Sequence, residues 1–170
     1  MHMKNVTRPA DPIPRSRIPR LRLSLSVQRA MRATDAPSRI QILQFVRAAL
    51  KQDAEITLRI VNAAEGCQLN REFRHKDYPT NVLSFVYETA PVILGDLVLC
   101  APVITAEALA QGKTSLAHYA HLIVHGVLHL QGYDHENDAD AERMEAQEIK
   151  IVTGLGFANP YLETELFNHA

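Results

Sequence analysis

The stretch HGVLHLQGYDH, residues 125–135, sets three histidines around one glycine in eleven residues. His125 and His129 are four apart, so on a helix both project from one face at neighbouring turns, a spacing that presents two imidazoles to one Zn²⁺. Gly132 supplies the backbone freedom for a sharp reversal, and His135 can then bring a third nitrogen from outside the helix. Three protein ligands leave a fourth position for water, which marks a catalytic rather than a structural zinc site. His118 and His121 fall on the same predicted helix. His121 would stand about 12 Å along the axis from His129, too far for one shared ion. These two read as core histidines with hydrogen-bond partners.

The spacing matches the H-E-x-x-H-x-x-G-x-x-H pattern of metzincin peptidases at every histidine and at the glycine, which suggests a zincin-like metal site. It departs at Gly126, where those enzymes carry the glutamate that serves as general base. Peptide hydrolysis without that carboxylate lacks its usual proton acceptor, so the pattern points to zinc-assisted hydrolysis of another kind. A glutamate at 126 would put negative charge where a phosphate must approach. A metallopeptidase-like hydrolase and a binding module with a structural zinc are the alternative readings.

Outward from this stretch, strand and helix periods alternate. LRLSLSV (21–27) and EITLRIV (55–61) repeat every two residues and predict strands, as do VLSFVYE (82–88) and VILGDLVLC (92–100). Between and after them lie helical segments: RIQILQFVRAALKQ (39–52), with Ile40, Leu43, Val46, Ala49 and Leu50 on one stripe; AAEGCQLNREFR (63–74); PVITAEALAQ (102–111); and about 116–130. DADAERMEAQEIKIVTGLG (138–156) predicts a last, acidic helix closed by glycines. The fold class is therefore α+β, a single domain with a small mixed four-stranded sheet flanked by about five helices.

With 170 residues, 46% of them hydrophobic, the chain has room for one sizeable core. Its formal charge of −1 hides an asymmetry: residues 1–32 hold eight Lys and Arg against the single acid Asp11. The proline-punctuated head reads as a flexible basic arm over 1–20, ahead of a domain over 21–168, and could draw in a polyanion such as RNA or be a solvated tail. Two separated cysteines, Cys67 and Cys100, indicate no disulfide framework and fit a reducing, cytoplasmic setting. No apolar run is long enough for a membrane span, and Arg22 interrupts the only early apolar stretch, so no secretory signal is expected.

HGVLHLQGYDH, preceded by AHYAHLIV and joined upstream by LNREFRHKDYPTNVLSF and ILGDLVLC, resembles the YbeY family of bacterial metal-dependent endoribonucleases, the ribosomal RNA maturation factors, over about residues 55–161. The resemblance implies zinc, one ion per chain, on His125, His129 and His135. It implies a functional, catalytic arginine at Arg59 in ITLRIV, and cleavage of single-stranded RNA in ribosomal RNA processing, including 3′-end maturation of the small-subunit RNA, and in ribosome quality control. Ribosomal RNA is then the partner, with ribosomal proteins or the small subunit beside it. Asn81 and Val86 depart from residues frequent in the family at those places. A guanidinium fork suits two phosphate oxygens at once; an outward strand position, or a salt bridge to Glu65 or Asp96, is the structural alternative for Arg59. Arg71, Arg74 and Lys76, with His75, form a basic cluster that could guide the RNA backbone or be a solvated loop. Asp134, with Tyr133, stands beside a ligand and could orient it. The acidic run Asp134, Glu136, Asp138, Asp140, Glu142, Glu145 and Glu148 reads as a solvated helix face, or as a dock for a basic ribosomal protein.

Overall fold

The computed structural model describes residues 20–162, so the proposed basic arm falls, but for Arg20, outside the described residues. Four strands, β1 (Leu23–Arg29), β2 (Ala54–Val61), β3 (Val82–Glu88) and β4 (Ile93–Cys100), form one sheet in the order β1-β2-β4-β3. The first three in that order run parallel, and β3 lies antiparallel at the edge. Parallel neighbours need a crossover, and α1 (Arg39–Ala49) supplies it between β1 and β2. Four more helices follow: α2 (Ala63–Arg74), α3 (Ala101–Ala110), α4 (Ser115–Leu130) and α5 (Asp138–Gly154). The mixed α+β architecture expected from the periodicities is the one observed.

Four of the five described helices begin where the sequence offers a side-chain acceptor for unpaired amides, while α3 starts with Pro102 in its first turn and no such cap. Ser38 and Gln41 close a reciprocal capping box on α1, and Asn62, Thr114 and Asn137 cap α2, α4 and α5. The buried stripe of α1 is Ile42, Phe45, Val46 and Ala49. Ile40, expected inside, is 69% exposed. The stripe is rotated from the expected one because the aromatic ring of Phe45 goes inward, edge-on to Phe157.

The two faces of the sheet are unlike. Leu25, Ile56, Leu58, Ile60, Leu97 and Leu99 point to one face, where they join residues of α1 and α4 in the main core. Val61, Leu83, Val98 and Cys100 point to the other face and form a small cluster with Leu69 of α2. At the outer edge, Arg39 donates to the Leu25 carbonyl of β1 and Arg47 to the Leu21 carbonyl just ahead of it. None of the described helices is long and apolar enough to cross a membrane.

Helix α4 approaches the sheet through two glycines. A Cβ at Gly126 would stand 2.7 Å from Cδ2 of Leu97 on β4, and one at Gly95 of β4 would stand 2.6 Å from Cδ2 of Leu130 and 2.8 Å from the Phe85 carbonyl. Each element thus receives a leucine from the other. We expect Gly95→Ala to lower stability by about 1–3 kcal/mol, the usual range for overpacking, because a backbone oxygen cannot step aside. Chemical denaturation of the metal-free protein measures this; an unchanged midpoint would show that the contact is slack.

Candidate metal centre

The histidine stripe follows from how α4 is rotated against the sheet. Gly126 faces the sheet, while Gln131 reaches α1, its side-chain amide donating to the Ala49 carbonyl at 2.6 Å. At about 100° per residue, His125 and His129 lie on the opposite flank from Gln131. That flank is turned away from α1 and, at His121 and His125, meets Glu148 of α5.

The third histidine arrives as the glycine predicts. Gly132 has φ +91°, its N–H donates to the His129 carbonyl, and the Tyr133 N–H donates to the Leu128 carbonyl. This pair of bonds is a Schellman cap, which ends the helix and sends the chain back. Lys51 fastens the turn to the end of α1 through its backbone N–H to Gln131 and its Nζ to the Tyr133 hydroxyl. As a result one ligand atom from each of His125, His129 and His135 lies within 4.8 Å of the others. Nε2 of His125 and Nε2 of His129 face each other at 3.1 Å. The chemistry of this donor set, three imidazoles converging on one point, fits a divalent borderline metal. Among the described residues the cluster has these three members.

The electrostatics favour ligands ready to bind. Burial, then the neighbouring His125 and His135, pulls the His129 pKa down to about 4, so its ring is neutral at physiological pH. A hydrogen bond with the Tyr133 backbone opposes this only in part. Asp134, proposed to orient a ligand, accepts the His135 backbone N–H at 2.7 Å, with an oxygen 4.0 Å from His135 Nδ1. Tyr133 serves the turn instead, through Lys51.

Glu148, expected on the solvated acidic face, lies instead in the core, 0% exposed. It sits on the buried stripe of α5 with Met144 and Val152, at four-residue spacing, and receives His125 Nδ1 at 2.5 Å, His121 Nε2 at 2.9 Å and the Tyr161 hydroxyl. Burial raises its pKa, but the three hydrogen bonds outweigh burial and bring it to about 2. His118 makes a parallel pair, its Nε2 2.7 Å from Glu107, whose carboxylate also takes the Asn81 side-chain amide. His118 and His121 therefore each have a carboxylate partner, half-buried Glu107 and buried Glu148.

Gly126 has a packing reason as well. Its missing side chain makes room for Leu97 at the sheet, so a glutamate there would enter the helix–sheet interface. The expected effect of a carboxylate at 126 is thus disruption of packing more than charge placed before a phosphate.

The other candidate residues are not members of this cluster. Arg59 alternates with core-facing Leu58 and Ile60, which turns its side chain to the face away from α4. There its Nε and Nη2 meet the two Glu65 oxygens at 2.7 and 3.2 Å, and Nη1 meets Gln28 at 3.2 Å. Glu65, one of the two acids considered as its partner, is the one it pairs with. Arg71 is paired with Asp77, while Arg74 and Lys76 are exposed around the left-handed C-cap of α2 at His75.

The pKa shifts give a direction for acid stability of the metal-free protein. An unfolded histidine binds a proton near 6.5 whereas folded His129 waits until about 4, so protons favour the unfolded chain and stability falls as pH drops through that window. Glu148 adds a second loss between 4.5 and about 2. The His129 part is on the order of 1–3 kcal/mol. Melting curves from pH 7.5 to 4 should show it, and His129→Asn should flatten the upper limb; an equally steep limb in the variant would assign the loss elsewhere.

Comparison with known proteins agrees with this geometry. The family model for Endoribonuclease YbeY matches residues 27–156. The chain is 51% identical over 154 residues to the Endoribonuclease YbeY of Methylibium petroleiphilum, covering 91% of this chain and 98% of that one. It is 61% identical over 120 residues to the protein of that name from Verminephrobacter eiseniae, covering 71% and 78%. A solution structure from Thermotoga maritima aligns with TM-score 0.52 at 27% identity, over 76% of this chain and 86% of its own. The family match spans three strands and the end of β1, the histidine helix and the returning loop together, and the chain belongs to the Endoribonuclease YbeY family.

Proposed function

We propose that this chain is a zinc-dependent endoribonuclease that cuts single-stranded ribosomal RNA in the cytoplasm. Its work is ribosomal RNA processing, including 3′-end maturation of the small-subunit RNA, and ribosome quality control, with the small subunit and its proteins as the setting. The observation that carries the reading is the convergence of three imidazole nitrogens within 4.8 Å in a chain of this family. An all-imidazole set at a helix end suits Zn²⁺ better than hard cations, which prefer oxygen. Free Cys67 and Cys100 support a reducing compartment.

When bound, Zn²⁺ supplies Lewis-acid polarisation and a water of lowered pKa. The chain's own residues hold and orient it: His125 and His129 from one flank of α4, His135 from beyond the Schellman turn, and Asp134 at the His135 backbone. Position 126 offers no carboxylate to take a proton from water and return it to an amine, which is what a peptidase requires. Phosphodiester cleavage leans on charge neutralisation instead. Arg59, with Arg71, Arg74 and Lys76 on the same side of the sheet, contacts the RNA backbone. The resemblance suggests a catalytic role for Arg59; its place on the face opposite α4 favours a contribution through RNA binding.

Metal-loaded protein should cut labelled single-stranded RNA, more weakly as salt is added, and leave casein intact. His129→Ala should lose both metal and at least about 100-fold in rate, the scale on which metal-assisted catalysis operates. Casein hydrolysis with intact RNA would overturn the reading. Arg59→Ala should keep its metal and its kcat while raising KM several-fold, since uniform binding is what is removed. If neither RNA affinity nor rate changes, Arg59 serves only its ion pair with Glu65.

A further inference from the structure

Buried charge without a catalytic contact needs a reason, and Glu148 is a buried carboxylate whose oxygens are spent on three donors. We infer that Glu148 is a positioning residue: by holding Nδ1–H of His125, it turns Nε2 of that ring, with its lone pair, toward the metal position. The inference rests on the reading of the triad as a divalent-metal site.

An imidazole has two nitrogens, and a neutral ring can ligate only through the one without a proton. His125 Nδ1 lies 2.5 Å from Glu148 Oε1, and a carboxylate only accepts, so the ring proton stays at Nδ1. Nε2 is then the free nitrogen, and Nε2 is the atom that faces His129 Nε2 at 3.1 Å. Tautomer and ring direction thus follow from one contact across the α4–α5 interface.

The other two donors hold the carboxylate itself. His121 Nε2 and the Tyr161 hydroxyl both reach Oε2, leaving Oε1 for His125. The Tyr161 ring packs edge-on against His121 at 5.2 Å between centroids, and Lys113 Nζ ties the adjacent Pro160 carbonyl at 2.6 Å. The segment after α5 is therefore clasped to the back of the metal centre. Tyr161, far in sequence from every ligand, becomes a determinant of how the ligand is aimed.

A Gln at 148 keeps the shape but brings one oxygen and two N–H donors to a site that asks for acceptors only. Zn²⁺ affinity of the full-length protein, measured at pH 8 by competition with a chromophoric chelator, should weaken about 10- to 100-fold in Glu148→Gln, the usual effect of losing such a partner. Tyr161→Phe, which leaves two donors in place, should weaken it about 3-fold, a smaller fraction of that effect. Ring-nitrogen NMR of the metal-free protein should show His125 protonated at Nδ1 alone in the wild type and as a tautomer mixture in Glu148→Gln. Melting midpoints check that the variants are folded. A folded Glu148→Gln with wild-type affinity and an unchanged His125 tautomer would overturn the inference. If that variant does not fold, Tyr161→Phe decides by the same two readouts, and no change in either overturns it. If the wild type binds no Zn²⁺ at all, the metal reading fails instead, while the His125 tautomer still reports on Glu148.

Discussion

Two leucines exchanged between α4 and β4 fix everything that follows at the metal centre. Leu97 fills the space over Gly126, and Leu130, one helical turn on, fills the space over Gly95. A helix held at two points a turn apart can neither roll nor slide, and a roll of one residue would swing each histidine by about 100°. The direction of the His125–His129 flank, about 100° around the helix from Gly126 and Leu130, is thus a consequence of packing on the adjoining side of the same helix. Close-packed interiors transmit such constraints because small shifts forfeit many contacts at once.

The four histidines of α4 divide into two kinds by their carboxylates. His118 and His121 spend Nε2 on Glu107 and Glu148, whereas His129 has no such acceptor and is held neutral by burial and like neighbours. Only His125 belongs to both groups, with Nδ1 on Glu148 and Nε2 toward His129. Burying the Glu148 carboxylate is tolerated because it accepts several donors; an unpaired one would take up a proton instead. The same low-dielectric surroundings keep the His129 ring uncharged, so burial that stabilises the core also prepares that nitrogen for a cation.

Much of this was legible in the sequence where the determinants are local. The histidine triplet and Gly132 lie within eleven residues, and the turn they imply is the one observed at φ +91°. The strands could be placed because period-two alternation states which residues share a face. It does not state which face receives α4, so Arg59 could be assigned a side only once the helices were seen to pack on Leu58 and Ile60. Glu148 was missed because it resembles its acidic neighbours in composition. Its signal was positional: Met144, Glu148 and Val152 form one stripe, and an acid inside an apolar stripe asks for a buried partner. The partner, His125, stands 23 residues away, beyond any local pattern.

Gly126 shows why a motif and its geometry must be read together. As sequence, it is a peptidase pattern lacking its base; in the fold, it is the hole that Leu97 occupies. A glutamate there would have to displace the methyl groups of a fully buried leucine, so the packing opposes the proton acceptor that peptide hydrolysis uses. The nearby carboxylates are already committed, Glu148 to three donors and Asp134 to the His135 backbone. Chemistry at this centre therefore has to rest on cationic stabilisation more than on a positioned protein base. That demand suits a phosphodiester, whose difficulty is accumulated negative charge, better than an amide, whose difficulty is a poor leaving group that must be protonated.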